Sequence, residues 1–247
     1  MNQKTRWMYP QAQENQLNRI LSMATTEMIS AMRAASVRLK RDSAEDVERE
    51  EGELDGIIEA LVASVVSALP AIGFAIYKYN TSQFLKVARN SGARNNAYII
   101  LLGTMEPSQA DEVWISARNN WLIQSRLSSR KLLNNIKDDF IQRKLQEESG
   151  ITPTHSDAER YRVYRNKTAN IAAAITSSLN SSLMRKRLED AGVTSYFWHG
   201  MLDERERPSH IAREGKEYPF NSTDVFPGQE WGCRCWAVPN WSKQEDE

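Results

Sequence analysis

The sequence predicts a mostly α protein in which an elongated helical body precedes a small, loop-rich α+β C-terminal module. Before residue 190, apolar residues recur every three or four positions over long stretches, the spacing of one helix face. Chain-breaking residues are unevenly placed, with 6 Gly and 4 Pro in residues 1–190 against 5 Gly and 4 Pro in residues 191–247. That last quarter also holds four of the seven tryptophans, two of the three histidines and both cysteines. The expected division is a helical N-terminal region over 1–110, central helices over 111–190 and the C-terminal module over 191–247.

The first helix is predicted from Leu17, Ile20, Leu21, Ala24, Met28, Met32, Ala35 and Leu39, which share one face. Residues 40–53 form a charged connector, read as a solvated helix face or loop. Leu54, Ile57, Ile58, Leu61, Val62, Val65, Val66 and Leu69 make an apolar helix expected to end at Pro70, because proline lacks the amide and crowds the preceding turn. Phe74–Tyr79, Phe84–Ala88 and Tyr98–Leu102 are too short to assign, and the last suits a buried strand or a helix segment. Pro107 and Ser108 open a helical segment with Trp114, Ala117 and Trp121 on one face. It is continued after Ser128 and Ser129 by Leu132, Leu133, Ile136 and Phe140, and closed by Gly150 and Pro153. Ser156-Asp157-Ala158-Glu159 has the form of a capping box. It should start a long helix to about Asp190, with Tyr161, Tyr164, Thr168, Ile171, Ile175, Leu179 and Leu183 buried and Gly192 as its C-terminal cap. Arg160, Arg162, Arg165, Lys167, Arg185, Lys186 and Arg187 lie on its other faces. They read first as solvated cations, and second as a local contact for DNA phosphates or an acidic partner.

The charge is balanced, 32 Lys plus Arg against 32 Asp plus Glu. A globally basic nucleic-acid wrapper and an acidic solvating chain are both excluded. At 247 residues the chain can bury a core without disulfide staples. The polar N-terminus shows no signal-peptide pattern. Residues 60–77 are 18 uncharged positions, the lower edge of a membrane-spanning length. Ser64, Ser67, Pro70 and Gly73 dilute that stretch, so a soluble core helix is the better reading and a membrane partner is not expected. Cys233 and Cys235 are separated by one residue, too close for an unstrained bridge, which points to reduced thiols or a metal.

Chemistry-bearing residues crowd into the C-terminal module. Two thiolates, an imidazole and one more donor satisfy tetrahedral zinc. His210, Cys233 and Cys235 are therefore candidate ligands of a structural zinc, with His199 or Asp203 as the fourth. In the alternative reading, the cysteines are small buried hydrophobes and His210 is a hydrogen-bonded core residue. Asp203, Arg205 and Arg207 suit internal pairing, in which the guanidinium fork locks irregular backbone. An Asp203–His210 acid/base pair would need a pocket that the sequence does not reveal. His155 reads as an exposed loop residue.

Trp198, Asp203, Arg205, Arg207, His210, Gly215, Pro227, Gly228, Cys233, Arg234 and Cys235 form a long ordered pattern. It runs from an aromatic through Asp-x-Arg-x-Arg-x-x-His, Gly and Pro-Gly to Cys-Arg-Cys. In this pattern the chain resembles the phage head-morphogenesis, or Mu-F-like minor head protein, family. Trp121 to Ser125 and Tyr161 to Asn180 are similar to the family's central segments; Asn166 and Lys167 depart from it where an acid commonly follows the Arg. The resemblance does not extend to residues 1–110. It implies a structural protein of a tailed phage, not an enzyme, present in few copies in the head interior or at the portal vertex and assembled in the host cytoplasm. Its implied partners are the portal protein, the major capsid protein or scaffold, and in some members packaged DNA. The reading from a different class is a zinc-dependent hydrolase or nuclease using His210, Cys233 and Cys235 as ligands and Asp203 as base.

Overall fold

The structure, a computed structural model, describes residues 7–38, 44–152, 155–222 and 225–241. Leu39 and Pro153, assigned above to a helix face and a helix end, lie outside the described residues. Five helices, α1 (Gln11–Arg38), α2 (Ala44–Asn90), α3 (Ala97–Thr104), α4 (Glu112–Glu148) and α5 (Asp157–Asp190), precede strand β1 (Ser195–His199). The short helix α6 (Pro208–Ile211) and strands β2 (Glu217–Pro219) and β3 (Trp236–Pro239) follow. The fold is mostly α with a small α+β module near the C-terminus, as the sequence predicts.

One local expectation needs correction, and two further segments take a definite form. The helix expected to stop at Pro70 continues to Asn90, taking in both the acidic residues from Ala44 onward and the unassigned segments at 74–79 and 84–88. Pro70 is exposed, whereas Leu69, Ile72 and Ile76 around it are buried. Burial of that face outweighs the one amide hydrogen bond that proline removes. Second, residues 98–102 are helical rather than extended: Asn96 caps α3 by accepting the Ile99 amide at 3.2 Å. Third, residues 112–148 are one uninterrupted helix across Ser128 and Ser129, where the Ser129 hydroxyl bonds back to the Ser125 carbonyl at 2.8 Å.

The long α2 helix is the one place where a membrane must be considered. Among the described residues, the stretch Arg49–Asn90 is long and apolar enough to cross a bilayer, and 39% of its most apolar window is buried inside the protein. Leu61, Val62, Val65 and Leu69 are buried, while the side left exposed is Ala63, Ser64, Ser67 and Pro70.

The chain divides into two compact units, neither of them continuous in sequence. One comprises Asn15–Pro70 and Leu122–Ala172. Its helical segments are tied by polar links between distant positions: Arg38 grips Glu50 with two 2.6 Å bonds, Lys137 reaches Asp55 at 2.6 Å, and Arg160 reaches Asp139 at 2.8 Å. Thr25 and Thr168 share a buried hydrogen bond of 3.2 Å. Part of the acidic connector is therefore not simply solvated, since Glu50 is buried against an arginine.

The other unit comprises Ala71–Trp121, Ala173–Glu247 and the described part of Met1–Glu14. Its core collects Trp7, Phe84, Leu188, Tyr196, Trp198 and Trp241 around both cysteines. The sheet has the order β2-β1-β3, antiparallel throughout, with Tyr196 opposite Tyr218 on one side and Trp198 opposite Ala237 on the other. Helix α5 enters as the capping box predicts: the Ser156 hydroxyl accepts the Glu159 amide at 3.3 Å and Glu159 accepts the Ser156 amide at 2.8 Å. It ends at Gly192, whose φ of +66° places it in the left-handed region that favours glycine. Between Ala172 and Ser177 α5 is buried on every side, so its small residues serve close packing.

An exposed proline in a helix interior predicts its own test. Pro70→Ala should raise stability by about 1–3 kcal/mol, read as a higher denaturant midpoint with an unchanged slope.

Candidate functional site

Strand β1 delivers Trp198 and His199 to the centre of the sheet, where Trp198 is buried and its ring meets the His210 imidazole edge-on at 5.3 Å. The chain then turns through residues 200–207 into α6. Asp203 organises that turn by accepting the Arg205 amide at 3.1 Å, and its carboxylate is gripped by Arg234. Pro208 at the first position of α6 fits a helix start, where the missing amide costs nothing. Two residues later α6 places His210, only 5% exposed, inward.

The return segment brings the Cys-Arg-Cys motif. Successive side chains of an extended chain point to opposite sides. Accordingly, Cys233 and Cys235 both face His210, while Arg234 between them reaches Asp203. His210 Nδ1 lies 3.4 Å from Cys233 Sγ and 3.5 Å from Cys235 Sγ, and Nε2 lies 2.6 Å from a Glu230 oxygen. A carboxylate only accepts, so Nε2 carries a proton and Nδ1 faces the two sulfurs. Cys235 Sγ lies 3.1 Å from Glu206 Oε1, and the Gly228 amide donates to Cys233 Sγ at 3.4 Å. Both cysteines are free thiols. A hydrogen bond from the Cys235 thiol, the largest influence, acts with the amides of Cys235 and Gly228 and nearby His210 to pull Cys233 down to about 6, against the opposing effect of burial. The same bond, with burial and Glu206, pushes Cys235 up.

The other motif residues are placed around this centre. Arg205 reaches Glu14 at 3.3 Å, and Arg207 donates to the Trp231 carbonyl at 2.6 Å and lies 3.4 Å from Glu230. The Gly215 amide donates to the Trp198 carbonyl at 2.8 Å. The Pro227 carbonyl accepts the Ser181 hydroxyl at 2.7 Å, seating the Pro-Gly turn on α5. Gly228 has φ +80°, and a Cβ there would lie 3.0 Å from Ser181 Cβ and 3.1 Å from the Cys235 carbonyl. His199 turns elsewhere, to Glu214 at 2.6 Å. Of the residues considered as ligands, the fold therefore gathers His210, Cys233 and Cys235 and engages His199 and Asp203 with other partners.

Glu206, Glu230 and Glu214 carry this network, and the sequence analysis did not single them out. The alternation Asp203-Glu204-Arg205-Glu206-Arg207 was the available signal. Among the α5 cations, Arg187 corrects the expectation of a solvated surface charge. It is fully buried, donating to Asn80 at 2.8 Å and Thr81 at 2.6 Å with its guanidinium 5.4 Å from the Tyr77 ring centre. Arg160 is paired with Asp139 and Lys186 with Asp190, whereas Arg162, Arg165, Lys167 and Arg185 are exposed.

Residues 128–238, from within α4 through the thiol centre to β3, match the family model described as Phage Mu protein F like protein. This stretch is thus similar to Mu F-like proteins. An uncharacterized protein of Haemophilus influenzae (strain Rd) is 41% identical to the chain over 72 residues, which make up 28% of this chain and 16% of that protein. The chain therefore spans only a small part of that relative's length. No solved structure matches the chain at a significant level. The matched residues contain the whole Asp/Arg/His/Cys pattern, and nearly all its partners lie among them; Glu14, the partner of Arg205, does not.

Two variants probe this network. Gly228→Ala combines a left-handed backbone with a close approach to α5 and should cost about 1–3 kcal/mol of stability, measured by thermal or denaturant melting. For Asp203, burial is the largest influence and pushes the carboxyl up, but the hydrogen bond and charge of Arg234, aided by Arg205, outweigh it and hold the carboxyl below its ordinary value. Its contribution to stability is complete above the unfolded pKa of about 4 and is lost as pH falls through the lower folded value. Asp203→Asn should therefore melt lower than the native protein at neutral pH, and the difference should shrink in acid below about pH 4.

Proposed function

We propose that this protein is a minor head protein of a tailed phage or related element, which associates with the portal protein and the inner capsid during assembly. The match of residues 128–238 to the Mu F-like family model carries this reading and supports a phage head protein at the family level. The site's chemistry supports a structural role for the module. Cys233, Cys235 and His210 are each at most 5% exposed, and Asp203 is engaged by Arg234. Groups so buried and so paired hold backbone together better than they meet a substrate. The hydrolase reading would need Asp203 as a base beside the thiol centre, and its carboxylate is directed to an arginine instead.

In this reading the protein resides in the head interior or at the portal vertex after assembly in the host cytoplasm, with portal, major capsid protein or scaffold as partners. Packaged DNA is a local contact at most. Arg160, Lys186 and Arg187 are engaged internally, and the zero net charge supplies no long-range attraction for a polyanion.

The test is incorporation. Particles purified through an affinity tag on the portal protein should contain this chain at far fewer copies than the major capsid protein. Its absence from portal-bearing particles, with the chain recovered only as free protein from the same lysate, would overturn the assignment.

A further inference from the structure

We propose that His210, Cys233 and Cys235, completed by Glu206, hold one Zn²⁺ in a closed tetrahedral site. The three ligand atoms of His210, Cys233 and Cys235 lie within 4.8 Å of one another and all three residues are buried. Zn–S bonds of about 2.3 Å and Zn–N bonds of about 2.0–2.1 Å, set at tetrahedral angles, separate sulfur from nitrogen by about 3.6 Å. The observed Sγ to Nδ1 separations of 3.4 and 3.5 Å already match that edge.

Each donor is also oriented for the task. The hydrogen bond from Nε2 to Glu230 fixes the tautomer whose Nδ1 lone pair faces the sulfurs, the carboxylate–histidine arrangement that orients zinc-binding imidazoles. The Gly228 amide directed at Cys233 Sγ favours the thiolate. Glu206 supplies the fourth donor, since its Oε1 is 3.1 Å from Cys235 Sγ. Among the described residues, only His210, Cys233 and Cys235 are mutually near, so the Glu206 side chain swings toward them to take the fourth corner. Gly200 makes room for this carboxylate, because a Cβ there would lie 1.7 Å from Oε1. On binding, both sulfurs coordinate as thiolates, whatever proton they still carry leaves to solvent, and the imidazole and carboxylate donate lone pairs, so no oxidant or reductant is involved. With four protein donors no position is open to water, and the ion clamps α6 to the segment entering β3.

The full chain, stripped of metal by a chelator and kept reduced, is titrated with Co²⁺ and then Zn²⁺. A thiolate-to-cobalt charge-transfer band and strong visible absorption should saturate at one equivalent and be abolished by Zn²⁺, which should also raise the melting temperature. Glu230→Gln should weaken binding by roughly 10- to 100-fold. Glu206→Gln should weaken it similarly, and His199→Gln should leave it unchanged. Cys233→Ser or Cys235→Ser should lose the charge-transfer band, and the native chain and Glu206→Gln still decide the matter where those variants do not fold. Absence of a thiolate–cobalt band in the folded native chain would overturn the site. Full-strength binding by Glu206→Gln, or loss of binding in His199→Gln, would overturn the donor set. Neither result bears on the head-protein reading, which is tested by incorporation.

Discussion

The His210 imidazole, set between two thiols on one side and the Glu230 carboxylate on the other, is the contact on which the C-terminal module depends. This part of the chain has little regular structure to hold it, with three strands of three to five residues and a four-residue helix. Strands this short supply few ladder hydrogen bonds and cannot stand alone. Polar groups that are buried and mutually satisfied can set such a fold, because any rearrangement leaves a donor or acceptor without a partner in a medium that punishes it.

The arginines extend that logic outward. Arg234 runs back to Asp203 across the loop and Arg207 holds the Trp231 carbonyl, while Arg205 reaches Glu14. These side chains bridge segments that no sheet or helix connects, a task suited to a planar donor fork that can bind an acid and a carbonyl together. Arg187 does comparable work deeper down, where Asn80, Thr81 and the Tyr77 ring replace its water shell. The balanced net charge thus conceals many internal pairings. Fewer charges remain for binding than the composition suggests.

Much of the helical body was legible because it rests on periodicity. Leu17, Leu21, Ala24, Met28, Met32 and Ala35 are all buried as their spacing requires, and the capping box at Ser156 starts α5 with both of its reciprocal bonds. What failed was local punctuation. Pro70 reads as a stop, and Tyr98 to Leu102 as extended or helical, because a proline or a short apolar run has no single outcome until its neighbours are packed. At the site, the His and Cys donors were legible from their chemistry. The glutamates were not, since nothing in an isolated acid tells whether it faces water or an imidazole.

The sequence by itself determined which segments are helical faces, where the chain changes character after residue 190, and that Asp203, Arg205, Arg207, His210, Cys233 and Cys235 belong to one ordered pattern. Those properties are carried by spacing along the chain. Only the tertiary structure decided that Arg187 is interior, that His199 turns to Glu214, and that Glu206 and Glu230 join the thiol centre. These outcomes depend on groups 15 to 107 positions apart in sequence. Which of several acids comes within hydrogen-bond distance of a given base is settled by packing, because the interaction is short in range and steeply dependent on geometry.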